Sequence, residues 1–433
     1  MEIKAVKGTH DTYGDESYRY DYIENIFALV AELYNYKKIE TPVLEYTEVF
    51  SRSTGGSSDV VRKEMYTFLD KGDRSVTLRP EGTAGVMRSI VENKLYATST
   101  LPLKTYYIGP VFRYERPQLG RYRQFYQAGI EAVGVNSPEL DAETIVFAMR
   151  VLGMLGFTSL KVKVNTIGDK ESRSAYKEAL RAYFAPKIDS MCSDCKERLA
   201  LNPMRILDCK VKEDHELALN APKIRDYLSN DSEKRFYKTL SILNELNIEY
   251  EIDDSLVRGL DYYGEIVFEV HAISPSGKDY GALLGGGHYD GLLSNFDGPE
   301  DIDHGVGFAM GVERIYSLME ELGLLKDINQ ELDLYLMPLG EKAIEYSVRL
   351  AEELRSLGYS TERPYVEGKL GSYFKKAERA KARFAIIFGE DELSRGVVQI
   401  KDLVKKEQKE YCLDTLNETL DELFGEESHH HCD

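Results

Sequence analysis

The stretch Phe112-Arg113-Tyr114-Glu115-Arg116-Pro117-Gln118-Leu119-Gly120-Arg121-Tyr122-Arg123-Gln124-Phe125 decides how this chain folds. Before it, Lys104-Thr105-Tyr106-Tyr107-Ile108 alternates and is rich in aromatics, which favours a strand. Residues 104–115 and 121–134 therefore read as two extended segments joined by the polar turn 116–120. That is a hairpin and not a βαβ crossover. On a strand Arg113 and Glu115 share one face, because side chains alternate. Guanidinium groups grip phosphate oxygens in a planar, bidentate fashion, and Phe125 offers an aromatic face to a base. One arginine on a strand is usually a solvated surface residue. This density, beside a carboxylate and an aromatic, points to a polyphosphate or nucleotide site.

Outward from the hairpin, residues 18–36 carry helical spacing (Tyr22, Ile23, Ile26, Phe27, Val30, Leu33) and end at the breaker-rich Glu40-Thr41-Pro42. A helix is expected over 141–153 and a strand over 160–165. Residues 170–248 are charged and helix-favouring and read as an inserted helical module. Strands resume at 250–270 and 279–285, and a helix begins near Gly311. Beyond a boundary at 325–330, strands at 333–338, 384–388 and 397–400 and a helix at 341–357 indicate a small α/β domain with a mixed sheet.

At 433 residues the chain exceeds one hydrophobic core, and 42% hydrophobic with 30% charged residues is ordinary for a folded protein. It has no apolar run of about 18 residues, the length a membrane span needs. Met1 to Gly8 lacks the apolar centre of a signal peptide, so the cytoplasm is expected. A net charge of −19 opposes nucleic acid at long range, yet local patches decide binding. Lys104 to Arg123 holds five basic residues against Glu115; Arg363 to Arg383 holds seven against Glu367 and Glu378. Either stripe is compatible with RNA or with a plain solvated face.

No GxxxxGK[ST] phosphate loop is present. Gly305-Val306-Gly307-Phe308-Ala309-Met310-Gly311 has its third glycine misplaced for a dinucleotide loop and reads as a tight glycine turn under a packed helix. A nucleotide must then be held by side chains.

At this point the chain resembles a known family. The hairpin resembles the second signature motif of class II aminoacyl-tRNA synthetases, residues 305–314 the third, and Glu40-Thr41-Pro42 the first, which in that family lies at the dimer interface. Leu256-Val257-Arg258-Gly259-Leu260-Asp261-Tyr262-Tyr263, Leu284-Gly285-Gly286-Gly287-His288-Tyr289-Asp290-Gly291-Leu292 and Thr77-Leu78-Arg79-Pro80-Glu81-Gly82-Thr83 narrow the resemblance to the histidyl-tRNA synthetases of bacterial type.

The resemblance implies an α+β class II catalytic domain over 1–328, an antiparallel sheet flanked by helices, with the helical insertion at 170–248. It further implies an α/β anticodon-binding domain at 329–425; residues 426–433 read as a disordered tail. It implies ATP with Mg²⁺ on its phosphates, L-histidine and tRNA(His) as partners, and a homodimer. Arg113 and Arg258 would be catalytic, on opposite sides of the α-phosphate, with Arg258 standing where other class II enzymes place a metal ion. Glu115, Arg121, Phe125 and Arg314 would complete the ATP site. Glu81, Thr83 and Gln127 would meet the α-amino end of histidine, and Glu131, Tyr262, Tyr263 and Tyr289 its imidazole. His288 and Tyr126 depart from the family's usual arginine and histidine.

The competing reading is the non-catalytic, synthetase-like regulatory subunit of histidine biosynthesis, which lacks the C-terminal domain and the full arginine set. Among five cysteines, Cys192-x2-Cys195 with Cys209 and His215 is a modest zinc signal; free thiols, without structural zinc, are the expectation. The tail His429-His430-His431-Cys432 reads as a frayed terminus with some capacity to scavenge metal.

Overall fold

A computed structural model describes residues 3–53, 58, 60–117, 120–260, 262–273 and 279–425. The turn residues Gln118 and Leu119, Asp261, and the tail expected at 426–433 lie outside the described residues. The chain divides into two compact units, Met1–Ile328 and Asn329–Asp433.

The first unit is built on an eight-stranded sheet. Its order is Lys37–Lys38, Leu103–Phe112, Gln124–Val133, His304–Gly311, Asp279–Asp290, Tyr263–Ile273, Leu160–Thr166 and Tyr250–Ile252. Every central pair is antiparallel, and only the two short edge strands pair parallel. The hairpin sets the register, with Leu103 opposite Val133 and Phe112 opposite Gln124. Side chains then alternate between two environments. Ala128, Ile130 and Ala132 bury into a core with Phe27, Phe147, Phe236 and Ile315, from helices Asp15–Leu33, Pro138–Met154, Asn230–Glu245 and Val312–Glu321. Gln127 and Glu131 have the opposite parity and line a cavity on the other face.

Two expectations are corrected. The hairpin strands end at Phe112 and begin again at Gln124, so Arg113 and Glu115 are not on a strand. Beyond one last bond from the Arg113 N–H to Arg123 O (2.9 Å), neighbouring backbone takes over: the Tyr114 N–H donates to Glu64 O (2.7 Å) and the Arg123 N–H to Gly8 O (2.7 Å). A tight turn, Glu115 N–H to Arg113 O at 2.8 Å, brings the two side chains together instead. Residues 305–311 are likewise no turn: they belong to the His304–Gly311 strand. Gly305 and Gly307 are there for close approach, since a Cβ would strike the Tyr289 ring at the first and the Glu131 carboxylate at the second.

Between Thr166 and Tyr250 the chain is helical, including Lys170–Phe184, Ser193–Leu201, Lys212–Leu219 and Asn230–Glu245. Cys192, Cys195 and Cys209 do cluster there, but their neighbour is Asp214 and not His215. Successive helical residues point about 100° apart, and position 214 is the inward one.

The second unit has sheet order Thr361–Glu362, Leu332–Leu339, Ala382–Gly389, Val397–Asp402, Gln408–Cys412, parallel across the first three and antiparallel thereafter. Leu334, Leu336, Phe384 and Ile386 bury on one face, Tyr335, Met337, Ala385 and Ile387 on the other. Burial on both faces explains the unbroken apolar runs that mark these strands in the sequence. Among the described residues, no helix is long and apolar enough to cross a membrane.

Candidate active site

The cavity on the open face of the large sheet measures about 360 Å³. Glu81, Thr83, Arg113, Glu115, Arg121, Phe125, Gln127, Glu131, Arg258, Tyr262, Tyr263, Tyr289 and Arg314, separated by up to 233 positions, all line it. Polarity divides it into two ends.

The inner end is buried. Glu131 is 2% exposed; its Oε1 accepts the Thr83 hydroxyl at 2.6 Å and its Oε2 the Tyr289 hydroxyl at 2.8 Å. Burial pushes its pKa up to about 8, against the two hydrogen bonds. Glu81 is raised too, again by burial, although it accepts the N–H groups of Thr83 (2.7 Å) and Ala84 (2.9 Å) at the start of helix Thr83–Glu92. Gln127 accepts the Gly82 N–H at 3.1 Å. Tyr262 packs on Tyr263 with centroids 4.6 Å apart and edge-on to Tyr289 at 5.9 Å. The result is a narrow aromatic slot with a carboxylate at its base. It suits a small planar ring carrying N–H groups.

The outer end is cationic and wetter. Arg113 donates from Nε to Pro80 O at 2.8 Å, and its guanidinium carbon lies 5.4 Å from the Phe125 ring centre. Glu115 stands between Arg113 (4.0 Å) and Arg121 (3.8 Å). Arg314 is tied to the strand Asp279–Asp290 through Ala282 O (2.7 Å) and Tyr280 O (2.8 Å). Burial, then Arg121, lowers the pKa of Arg314; neighbouring cations of this kind gain when an anion lies between them. Arg258, in the loop after Tyr250–Ile252, forms an ion pair with Glu269, and its buried Nε has no hydrogen-bond partner among the described residues. Gly285 leaves room for it, since a Cβ there would meet its guanidinium.

Reading the sequence missed Glu269 and Glu313. Glu269 is the one charged residue in Ile266-Val267-Phe268-Glu269-Val270, a signal in hindsight. Glu313 is 4% exposed and clamps the Tyr126 N–H with both oxygens (2.8 and 3.0 Å), locking the Gln124–Val133 strand to the helix that carries Arg314. Lys104 leaves the arginine group altogether and pairs with Glu143 at 2.5 Å.

His288 faces the helices. Nδ1 is 3.0 Å from Asp141 and Nε2 3.2 Å from Asp290, and Arg235 also reaches Asp141 at 2.6 Å. Burial opposes its charge, yet Asp141 and then Asp290 push its pKa up to about 9. A raised histidine stabilises the fold fully below its unfolded value of about 6.5 and loses that contribution as pH rises through 9. The melting temperature is therefore expected to fall by several degrees between pH 6.5 and 9.5, on the order of 3 kcal/mol. His288→Arg, charged throughout, should flatten that decline in a thermal-shift series.

Residues 8–315 match the family described as histidyl-tRNA synthetase, and residues 333–423 match the anticodon binding domain. The histidine–tRNA ligase of Bacillus licheniformis is 48% identical over 96% of this chain and 97% of its own. That of Bacillus subtilis is 47% identical over the same shares. The crystal structure of apo histidyl-tRNA synthetase from S. aureus superposes with a TM-score of 0.82 at 39% identity, covering 97% of this chain and all of that one. A sheet, a cavity and a near full-length likeness agree: this chain belongs to the histidyl-tRNA synthetase family.

Proposed function

We infer that this enzyme, in ligating histidine to tRNA, uses the two ends of its cavity for the two halves of histidyl-adenylate. The observation that carries this is the pairing of Glu131 with Thr83 and Tyr289 at one end and the convergence of Arg113 and Arg258 on the other. Histidine enters with its imidazole against Glu131, Tyr262, Tyr263 and Tyr289, and its α-amino group toward Glu81, Thr83 and Gln127. ATP, carried as its Mg²⁺ complex, lays adenine on Phe125 with Glu115 at the exocyclic amine. Arg121 and Arg314 hold the terminal phosphates.

The histidine carboxylate then attacks the α-phosphorus in line with the departing pyrophosphate. Charge grows on the equatorial oxygens, and Arg113 and Arg258, fixed before reaction, stabilise it. Histidyl-adenylate next yields its acyl group to the 3′ end of tRNA(His). The regulatory-subunit reading is set aside, because the second unit is present and matches an anticodon-binding domain. The working form is a homodimer joined through the segment around Glu40-Thr41-Pro42.

Pyrophosphate exchange with purified protein, ATP and each amino acid in turn tests this reading. Exchange is expected with histidine alone; none with histidine, or equal rates with several amino acids, overturns it. In the second unit, Lys375, Lys376 and Arg379 are exposed on helix Leu370–Arg379 and are proposed to meet tRNA phosphates. Replacing all three by alanine should raise the KM for tRNA and reduce its log–log salt slope by roughly 2, leaving pyrophosphate exchange intact.

A further inference from the structure

The ligand atoms of Cys192, Cys195, Cys209 and Asp214 all lie within 4.8 Å of one another. Cys192 Sγ is 3.8 Å from Cys209 Sγ, and Cys209 Sγ is 3.5 Å from Asp214 Oδ2. A zinc tetrahedron with Zn–S of about 2.3 Å and Zn–O of about 2.0 Å has S···S edges of about 3.8 Å and S···O edges of about 3.5 Å. The two distances fall on those edges.

Three buried thiols alone are explained by packing, because cysteine behaves as a small apolar residue. The carboxylate is not. Asp214 is 2% exposed and has no ion-pair partner among the described residues; the Cys192 N–H (3.0 Å) and the three thiols are what it touches. Those hydrogen bonds offset part of the cost of burying a carboxylate with no cation, and a cation at the centre of this group would remove the remainder. Local backbone also favours anionic ligands. Cys192 occupies the N-cap position of helix Ser193–Leu201 and Cys195 lies in its first turn, while Asp214 lies in the first turn of Lys212–Leu219.

We propose that Cys192, Cys195, Cys209 and Asp214 form a tetrahedral structural site for one thiophilic divalent cation of the zinc class. The site knots together the segment from 192 to 214. Within that segment Arg205, 9% exposed, donates from Nη1 to Gly259 O at 2.8 Å, beside Arg258. The metal thereby braces the loop that presents Arg258 to the cavity, and a thiolate-rich tetrahedral set selects zinc over magnesium or calcium.

The test uses the reduced, full-length chain carrying His429→Ala, His430→Ala, His431→Ala and Cys432→Ser, which removes a competing metal-binding tract. After expression with zinc and purification without chelator, elemental analysis should find about one Zn²⁺ per chain. Cys195→Ser and Asp214→Asn should lose it, whereas Cys412→Ser and His215→Ala keep it. Co²⁺ added to the chelator-stripped chain should give a thiolate-to-cobalt charge-transfer band that saturates at one equivalent, and this needs no cysteine variant to fold. Restoring Zn²⁺ should raise the melting temperature. Zinc below about 0.1 equivalent together with no cobalt band overturns the proposal, as does metal content unchanged by Cys195→Ser. A Cys192–Cys209 disulfide that, once reduced, takes up neither metal overturns it too.

Discussion

Arg258→Ala is expected to slow histidine-dependent pyrophosphate exchange by about 10²–10³-fold, chiefly in kcat, the loss of ~3–4 kcal/mol that one fixed charge contributes to a transition state. Arg258 has a second consequence to be separated from this one. It pairs with Glu269, and the alanine variant leaves that carboxylate with His271 alone, whose Nε2 lies 3.1 Å away. With that neighbour and about a fifth of its side-chain surface in solvent, Glu269 does not become an isolated buried charge, and the fold should survive. Circular dichroism and melting temperature close to the parent, with exchange nearly abolished, is the expected pattern. Arg258→Lys should recover only a fraction, because a point charge cannot reproduce a planar fork. Exchange within fivefold of the parent would put the stabilising cation elsewhere.

Glu131→Gln carries the second large effect, and it should appear in the histidine KM. Glu131 holds the Thr83 and Tyr289 hydroxyls and, in the proposed complex, an imidazole N–H. The amide keeps the size but replaces one acceptor with a donor, so two hydroxyl donors and a ring N–H compete for a single oxygen. A buried donor left unpaired costs about 1–3 kcal/mol, and with the assay run above the raised pKa of Glu131, at about pH 8.5, the ring N–H meets an ionised carboxylate, one of the stronger acceptors, so kcat/KM for histidine should fall about 10²-fold or more. The ATP KM, read at saturating histidine, should hardly move. A parallel rise in both constants would place Glu131 in the general architecture of the cavity and not in amino-acid recognition.

Much of the cavity lining that forms the candidate site was legible in the chain, because its residues sit in short motifs. An arginine, a glutamate and a phenylalanine around one hairpin are local facts, as are Arg258 before two tyrosines and the carboxylate in Pro80-Glu81-Gly82. The helices and strands were legible for the same reason, since period and breakers act over a few residues. What escaped was long-range. Arg258 meets Glu269 only because a loop folds back on the next strand, and Glu313 meets Tyr126 across 187 positions. Asp214 turns inward where the spacing offers His215, and a run of glycines read as a turn is a strand.

The sequence by itself determined the class of fold and the inventory of charged and aromatic groups, because alternation, helical period and turn chemistry are properties of neighbours. The tertiary structure alone decided which groups face each other. Strand register places Gly307 opposite Glu131 and Gly305 beside the Tyr289 ring, and the space left by a missing Cβ is what admits the pocket. Register and helix phase are settled by packing of the whole sheet against its helices, and no short window of sequence contains that information.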